Sequence, residues 1–326
     1  MNPAYLDLYR SGELQQRAAR LTARLAACDL CPRNCGVNRL SEEEGFCHSG
    51  ALPMVSSLCA HLGEEPVLSG KRGSGTIFFS NCNLRCVFCQ NFQISQNPAG
   101  QKSSAVSIQT LAKHMLDLQQ QGCHNINLVS PTHFIAQILE ALSLAVAGGL
   151  CLPLVYNTNA YDRLDVLREL DGVVDIYLPD IKYADENMAI KYSGARGYPK
   201  TARLAIREMW RQVGALVTDG EGIAERGLIV RHLILPEGVS GTQPSLNWLA
   251  ELSPEVTLSL MSQYYPAYRA GRYAALGRPI TPAEHEEALR FLEEAGLENG
   301  WVQDLEAPAS YRPDFERPGH PFEGAA

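Results

Sequence analysis

The sequence predicts an α/β protein whose core is a partial (β/α)6 barrel. Between residues 71 and 260, short apolar runs alternate with stretches of helical period, the pattern of about six βα units around a parallel sheet. This segment contains about 190 residues, whereas a closed eight-stranded barrel needs about 250. An open barrel of six units therefore fits the length better.

Six apolar runs are the strand candidates. Their lack of polar alternation is typical of strands that are buried on both faces of a parallel sheet. In chain order they are Thr76–Phe79, Asn125–Val129, Leu154–Asn157, Val174–Leu178, Leu228–Leu235 and Val256–Met261.

Helical periodicity predicts helices at Ile108–Gln121 and His133–Ala147, between the strand candidates. A further helix is predicted at Thr281–Ala295, where Thr281 is a suitable N-cap and is followed directly by a proline at the first helical position. Gly296 follows as a C-terminal stop signal.

We predict three regions along the chain. Residues 1–70 form a helical, Cys-rich metal-binding segment, residues 71–300 form the barrel, and residues 301–326 form an extension rich in Pro and Gly toward its end.

The most informative motif is segment 80–91, SNCNLRCVFCQN, which places Cys82, Cys86 and Cys89 at C-x3-C-x2-C spacing directly after the first predicted strand. An iron–sulfur cube normally takes four cysteine ligands, so three leave one iron open to a ligand that is not protein. The alternatives are a zinc knuckle, which usually pairs two C-x2-C units, and buried core cysteines, which need no such spacing. The loop follows a strand at the end of the barrel where active sites form.

This loop resembles that of the radical S-adenosylmethionine (SAM) enzymes, whose C-x3-C-x-aromatic-C signature is matched by Cys82, Cys86, Phe88 and Cys89. Within that superfamily it is most similar to activating enzymes of the pyruvate formate-lyase type. Those enzymes share the Arg85-Cys86 pair, an aromatic residue at position 88 and Asn91. The resemblance implies a partial (β/α)6 barrel that holds a 4Fe–4S cluster.

The resemblance also implies the chemistry. SAM binds the open iron, and its reductive cleavage gives methionine and a 5′-deoxyadenosyl radical that abstracts hydrogen from a substrate, while the protein supplies orientation and excludes water. The implied partners are a low-potential electron donor of the flavodoxin or ferredoxin type and a glycyl radical enzyme.

A second cysteine group lies in the N-terminal segment, where Cys28, Cys31, Cys35 and Cys47 have the spacing C-x2-C-x3-C-x11-C. Four thiolates can saturate zinc or all corners of an iron–sulfur cube. The spacing leaves three alternatives open: zinc, an auxiliary cluster, or a site that is empty or uses fewer ligands. Pyruvate formate-lyase activating enzyme lacks this segment, and the chain here resembles an uncharacterised branch of activating-enzyme-like proteins.

Polar residues follow three of the predicted strands, at the end of the barrel that would hold SAM. They are Ser130 and Thr132 after the second strand, Asn157 and Asn159 at the end of the third, and Asp180 and Lys182 after the fourth. The last two resemble the Asp-Leu-Lys motif of activating enzymes, which implies an acid at the SAM ribose and a lysine at the SAM carboxylate. The alternative for each position is a turn or cap residue.

Arg231 and His232 lie within the fifth predicted strand, so their side chains must point to opposite faces. Arg231 inside the barrel would suit the SAM carboxylate, because its fork of donors matches a carboxylate; structural pairing with Asp180 is the alternative. The remaining cysteines, Cys59, Cys123 and Cys151, are predicted to be plain buried thiols.

Composition excludes several classes of protein. A net charge of −8, a pI near 5.5 and the lack of a basic run argue against nucleic acid as a main partner. The polar first 20 residues predict no signal peptide, and no apolar stretch is long enough to span a bilayer. Ten cysteines, seven of them in two tight groups, favour metal sites in a cytoplasmic, reducing environment.

The leading functional hypothesis is a radical SAM oxidoreductase that installs a glycyl radical on a protein partner. A different enzymatic use, the oxidation or rearrangement of a small molecule or peptide, stays open. A non-catalytic iron–sulfur electron carrier is disfavoured, because a carrier needs neither an open iron nor a large barrel with polar strand ends.

Overall fold

The computed structural model describes residues 2–101, 104–305, 312–317 and 320–322. Within these residues, nine strands form one sheet of order β1-β2-β3-β4-β5-β7-β8-β9, with β6 paired to β7. The strands are β1 (Val55–His61), β2 (Ser74–Phe79), β3 (Ile126–Val129), β4 (Leu154–Thr158), β5 (Ile176–Pro179), β6 (Val217–Thr218), β7 (Ala224–Leu233), β8 (Thr257–Met261) and β9 (Gly300–Val302).

All six predicted strands are present as β2, β3, β4, β5, β7 and β8, and each pairs in parallel with its neighbour along this path. The mostly parallel sheet is consistent with the predicted partial barrel. The prediction missed three strands: β1, which pairs antiparallel with β2, the short β6, and β9, which adds a seventh parallel strand beside β8.

Strand β9 depends on a glycine at its first position. Gly300 has a φ of +131°, and a Cβ at this residue would lie 1.8 Å from the carbonyl oxygen of Leu258 in β8. Only a residue without a side chain allows the two backbones to approach this closely. The signal for this strand is therefore a single glycine rather than an apolar run.

Within the described residues, eleven α-helices accompany the sheet. They are α1 (Tyr5–Arg10), α2 (Glu13–Ala23), α3 (Pro66–Ser69), α4 (Phe92–Ser95), α5 (Ile108–Gln120), α6 (Ile135–Ala147), α7 (Leu164–Glu169), α8 (Glu186–Ser193), α9 (Tyr198–Val213), α10 (Thr242–Leu252) and α11 (Pro282–Ala295). The three predicted helices are confirmed as α5, α6 and α11. Thr281 caps α11 through a capping box with Glu284, and Gly296 ends it in the left-handed conformation.

The N-terminal helices pack against the barrel. The Ala4 N–H donates to the Asp175 carboxylate at 3.0 Å, and the Tyr5 hydroxyl donates to the Leu152 carbonyl at 2.6 Å. Leu14 and Leu21 of α2 are fully buried, so burial of apolar surface holds this segment to the barrel.

The predicted region boundaries stay predictions. Strand β1 belongs to the sheet although it lies within segment 1–70, and β9 crosses the boundary at residue 300. Of the predicted C-terminal extension, residues 306–311, 318–319 and 323–326 lie outside the described residues. Phe315 and Phe322 pack against Phe78 of β2, with ring centroids 5.2 and 5.9 Å away.

Among the described residues, no helix combines the length and the apolar character needed to cross a membrane.

Candidate active site

A pocket of about 440 Å³ lies at the carboxyl ends of the parallel strands. The thiols of Cys82, Cys86 and Cys89 line it together. Carboxyl ends of neighbouring parallel strands meet at one edge, which brings residues from distant parts of the chain into the same pocket.

Backbone hydrogen bonds fix the cysteine loop in place. The Arg85 N–H donates to the Ser193 carbonyl at 3.0 Å, and the Val87 N–H donates to the Tyr192 carbonyl at 2.8 Å. Asn81, which enters the loop from β2, has a φ of +68° and donates its side-chain N–H to the His48 carbonyl at 3.0 Å. The end of α8 and the N-terminal segment therefore both hold the loop.

Hydrogen-bond donors surround the sulfur atoms. The Asn159 amide and the Leu84 N–H both donate to Cys82 Sγ at 3.4 Å. The Ser193 hydroxyl donates to Cys86 Sγ at 2.9 Å, and Cys89 Sγ lies 3.1 Å from the Ser95 hydroxyl. Hydrogen bonds to ligand sulfurs are one of the means by which a protein sets a cluster's reduction potential.

Seven of the eight predicted cofactor residues also line the pocket: Phe88, Ser130, Asn157, Asn159, Asp180, Lys182 and Arg231. The Lys182 ammonium donates to the Asp180 carboxylate at 2.6 Å. Burial by itself would lower the pKa of Lys182, but the Asp180 carboxylate and the Cys86 thiol next to it raise that pKa above its usual value. The lysine is thus a fixed cation beside the cysteine loop.

Asn159 lies in the pocket wall, whereas Thr132 does not line the pocket. Thr132 lies in a 3₁₀ turn at Thr132–Phe134, and its hydroxyl donates to the buried Asp162 carboxylate at 2.7 Å. A polar residue two positions beyond a strand end can thus turn away from the barrel mouth. The predicted role of Thr132 in SAM binding stays a prediction.

Strand alternation correctly placed Arg231 and His232 on opposite faces. Arg231 lines the pocket, while His232 is fully buried, with its ring Nδ1 2.8 Å from the Ile181 carbonyl. The Arg231 guanidinium makes two hydrogen bonds to the Glu65 carboxylate, at 2.7 and 2.6 Å, and also contacts Glu64. The predicted alternative of pairing with Asp180 is therefore replaced by pairing with these two glutamates.

Sequence reasoning missed Glu64 and Glu65. They follow β1, whose mixed burial pattern gives little strand signal, and they reach the pocket only because β1 pairs with the first barrel strand. Burial alone would raise the pKa of Glu65, but the Arg231 guanidinium holds that pKa below its usual value. The available signal was two adjacent acids in a largely apolar region.

Comparisons with known proteins agree with this arrangement. Residues 76–220 match the family model of the radical SAM superfamily. An uncharacterized protein of Methanocaldococcus jannaschii is 32% identical over 285 residues, which cover 83% of this chain and 75% of that relative. The chain belongs to the radical SAM superfamily.

Two solved structures are also similar to this radical SAM protein. One is a radical SAM methyltransferase from Sphaerobacter thermophilus, with 14% identity, a TM-score of 0.47 and coverage of 77% of this chain and 70% of that one. The other is TYW1 with a lysine-pyruvate adduct bound, with 11% identity, a TM-score of 0.42 and coverage of 67% and 73%.

Membership in the radical SAM superfamily implies a 4Fe–4S cluster and SAM, and the donor set of the pocket fits the cluster. The buried thiols of Cys82 and Cys86 and the half-buried thiol of Cys89 line one side of an open pocket, and hydroxyl, amide or backbone N–H groups lie against their sulfur atoms. Burial raises the pKa of Cys82 to about 11 and that of Cys89 to about 12. These thiols are protonated in the metal-free protein at neutral pH, so cluster assembly must release protons.

The four N-terminal cysteines line a second, smaller cavity together with Arg39 and His133. Cys28, Cys31 and Cys47 are buried, and burial raises the pKa of Cys31 to about 12. Within the described residues, no group of three or more Cys, His, Asp or Glu side chains is close enough to hold a single metal ion. A metal in this N-terminal group stays a prediction.

The other cysteines lie apart from both groups. Cys59 and Cys123 are buried as predicted, but Cys151 is exposed because it precedes β4 in a surface connection. The prediction of a buried thiol was wrong at that position.

Proposed function

We propose that this radical SAM protein is a glycyl radical enzyme activase, in which Cys82, Cys86 and Cys89 hold the 4Fe–4S cluster. The supporting observation is that these three thiols and the ion pair of Asp180 with Lys182 face one pocket at the carboxyl ends of the strands. Such a pocket can hold a cluster and an amino acid derivative side by side.

The residues of this chain bind and orient SAM. Lys182 supplies a cation for the SAM carboxylate, and Asp180 accepts hydrogen bonds from the ribose. Both side chains are about one-fifth exposed and satisfy each other before SAM enters. Asn157, Ser130 and Arg231 add polar contacts around the same pocket.

One part of the pocket wall, at Phe88, is apolar and backed by aromatic rings. The Phe88 ring packs edge-on against Tyr183 and Tyr264, with centroids 6.4 and 6.0 Å away. When bound, the cluster supplies the electron that cleaves SAM to methionine and a 5′-deoxyadenosyl radical. An apolar surface beside the reaction site limits side reactions of such a reactive species with water.

Motif residues support the activase assignment over other radical SAM chemistries. Arg85, Phe88 and Asn91 in the loop match activating enzymes, as does the Asp-Ile-Lys segment that ends at Lys182. An activase needs its partner's glycine loop to reach the pocket, and a low-potential flavodoxin or ferredoxin supplies the electron.

One observation favours a second candidate, conversion of a small molecule or peptide. Pro313 and Phe322 of the C-terminal segment line the same pocket, so a folded partner has to pass them. A volume of about 440 Å³ also lies within the roughly 300–1,000 Å³ typical of small-molecule sites.

Deuterium transfer separates these candidates. The anaerobically reconstituted chain is reduced and incubated with SAM and with glycyl radical enzymes that carry deuterated glycine. An activase should transfer deuterium into 5′-deoxyadenosine and leave a glycyl radical signal in the electron paramagnetic resonance (EPR) spectrum. A partner with its target glycine replaced by alanine is the control. SAM cleavage without either signal in every partner tested contradicts the activase assignment.

A further inference from the structure

The N-terminal cysteine thiols do not surround one common metal position. Cys28, Cys31, Cys35 and Cys47 line one small cavity, but within the described residues no three of these thiols are close enough to hold a single metal ion. Zinc would need all four thiolates about 2.3 Å from one centre. A cube spreads its four thiolates over four separate irons and fills a central space.

Arg39 supplies a buried positive charge at this cavity. Its side chain is 1% exposed, and its guanidinium donates to the carbonyls of Gly50 and His133 at 2.8 and 2.6 Å. Nη1 of the same guanidinium lies 3.9 Å from Cys28 Sγ. In the described part of the chain, Arg39 makes no ion pair with a carboxylate. Buried charges are normally paired, and a cluster with four thiolate ligands is an anion.

Sulfur also accepts a backbone hydrogen bond here, as in the active-site loop. The Phe46 N–H donates to Cys35 Sγ at 3.3 Å. The turn is close-packed, because a Cβ at Gly45 would lie 2.9 Å from that same sulfur atom. The peptide of residue 46 therefore presents its donor directly to a ligand sulfur, as cluster-binding loops do.

The two cysteine groups are joined by reciprocal contacts. Arg33, two residues after Cys31, donates to the carbonyl of Asn83 at 2.8 Å. In the opposite direction, Arg85 donates to the carbonyl of Phe46. The Phe46 ring lies against both guanidinium groups, 3.6 Å from that of Arg33 and 4.4 Å from that of Arg85.

These contacts provide two short connections between the groups. The first links Asn83, next to Cys82, with Arg33 in the turn between Cys31 and Cys35. The second links Arg85, which precedes Cys86, with Phe46, which precedes Cys47. Cys35 is partly exposed, so the N-terminal group also reaches the protein surface. The group thus lies between solvent and the active-site loop.

We infer that Cys28, Cys31, Cys35 and Cys47 bind a second 4Fe–4S cluster that relays electrons to the cluster of the active site. An external flavodoxin or ferredoxin is oxidised by one electron, which reduces the second cluster. That cluster then passes the same electron to the active-site cluster, and each SAM cleaved consumes one electron. The inference rests on reductive SAM cleavage and not on the identity of the final substrate.

Metal analysis of the wild-type chain is the first test. After anaerobic reconstitution with iron and sulfide in the presence of zinc, we expect about eight irons per chain and no zinc, as two cubes require. About four irons with one zinc overturns the inference in favour of a zinc staple. About four irons without zinc also overturns it.

Variants assign each cluster to its cysteines. The variant that combines Cys82→Ala, Cys86→Ala and Cys89→Ala should retain about four irons. After reduction, its EPR spectrum should show a cluster signal that SAM does not alter. The double replacement Cys31→Ala and Cys47→Ala should lose that signal and keep one that SAM alters. Cys123→Ala is the matched control with both signals. Loss of all iron from the triple variant, with the fold verified by circular dichroism, overturns the inference.

The relay is tested by changing the electron donor. With reduced flavodoxin as donor, the Cys31→Ala, Cys47→Ala variant should form 5′-deoxyadenosine at least about tenfold more slowly than the wild type. Dithionite is small enough to reduce the active-site cluster directly, so with it the loss should be smaller. An equal loss with both donors overturns the relay. Failure of the glycyl radical assignment alone would leave these iron counts and donor ratios as predicted.

Discussion

The Ser193 hydroxyl donates a hydrogen bond to Cys86 Sγ over 2.9 Å, while the carbonyl of the same serine accepts from the Arg85 N–H. Ser193 is the last residue of α8 and is fully buried. One residue thus holds the backbone of the cysteine loop and also donates to one of its sulfur atoms. This contact links a barrel helix to the reduction chemistry of the site.

We expect Ser193→Ala to lower the reduction potential of the active-site cluster. A donor to a thiolate stabilises the more negative, reduced state, and a hydrogen bond of about 0.5–1.5 kcal/mol corresponds to a shift of about 20–60 mV. Potentiometric EPR titration measures the shift. Ser143→Ala, which removes a hydroxyl bonded within α6, is the control. An unchanged potential in Ser193→Ala would show that the bond has no redox role.

Cys86→Ala should abolish reductive SAM cleavage, because two thiolates cannot hold the cluster with one iron open. Liquid chromatography of 5′-deoxyadenosine after anaerobic reduction measures the loss. Cys123→Ala, at a buried cysteine outside both groups, should cleave SAM like the wild type. Full cleavage by Cys86→Ala would refute the assignment of this loop.

Part of this site was predictable from sequence because the signals are local. The apolar runs predicted six buried strands, and the C-x3-C-x2-C spacing predicted the loop that lines the pocket. The contacts of Arg231 were not predictable, since Glu64 and Glu65 reach it only through the long-range pairing of β1 with β2. Thr132 shows the same limit, because its orientation depends on the buried Asp162 carboxylate and not on strand alternation.

Lys182→Ala should weaken SAM binding by about 1.5–3 kcal/mol, the usual worth of a hydrogen bond to a charged group. The expected increase in Kd is about 10-fold to 150-fold, measured by anaerobic equilibrium binding. Lys200→Ala, at an exposed lysine of α9, is the control for loss of charge. If Lys182→Ala binds SAM normally but melts at a lower temperature, the lysine is structural and the prediction is wrong.

Asp175 should make stability fall as pH rises from about 4 to 7. Burial raises the pKa of this carboxyl to about 6, above its unfolded value of about 3.9. The folded state therefore holds a proton that the unfolded state has released, and this contribution disappears as pH passes the folded pKa.

The measurement is urea denaturation of the wild type and Asp175→Asn across this pH range. Asparagine does not titrate. Between pH 4 and pH 7, the free energy of unfolding of the variant should therefore rise by up to about 3 kcal/mol relative to that of the wild type. The variant keeps only one of the two oxygens that accept from the N–H groups of Ala4 and Leu154. This loss lowers its free energy of unfolding by an amount that does not depend on pH. A difference that stays constant with pH would contradict the raised pKa.

Gly45→Ala should remove iron from the N-terminal cysteine group while leaving the active-site cluster in place. The new Cβ would lie 2.9 Å from both Cβ and Sγ of Cys35 and 3.2 Å from a methyl carbon of Val37. Because all of these atoms belong to one close-packed turn, the thiol must move out of its ligand position.

Gly50→Ala is the matched control, since its Cβ would meet nothing within 4 Å. Iron analysis and EPR of the reduced proteins should show about half the iron in Gly45→Ala and all of it in Gly50→Ala, given two cubes in the wild type. Full iron content in Gly45→Ala would mean that Cys35 is not a ligand.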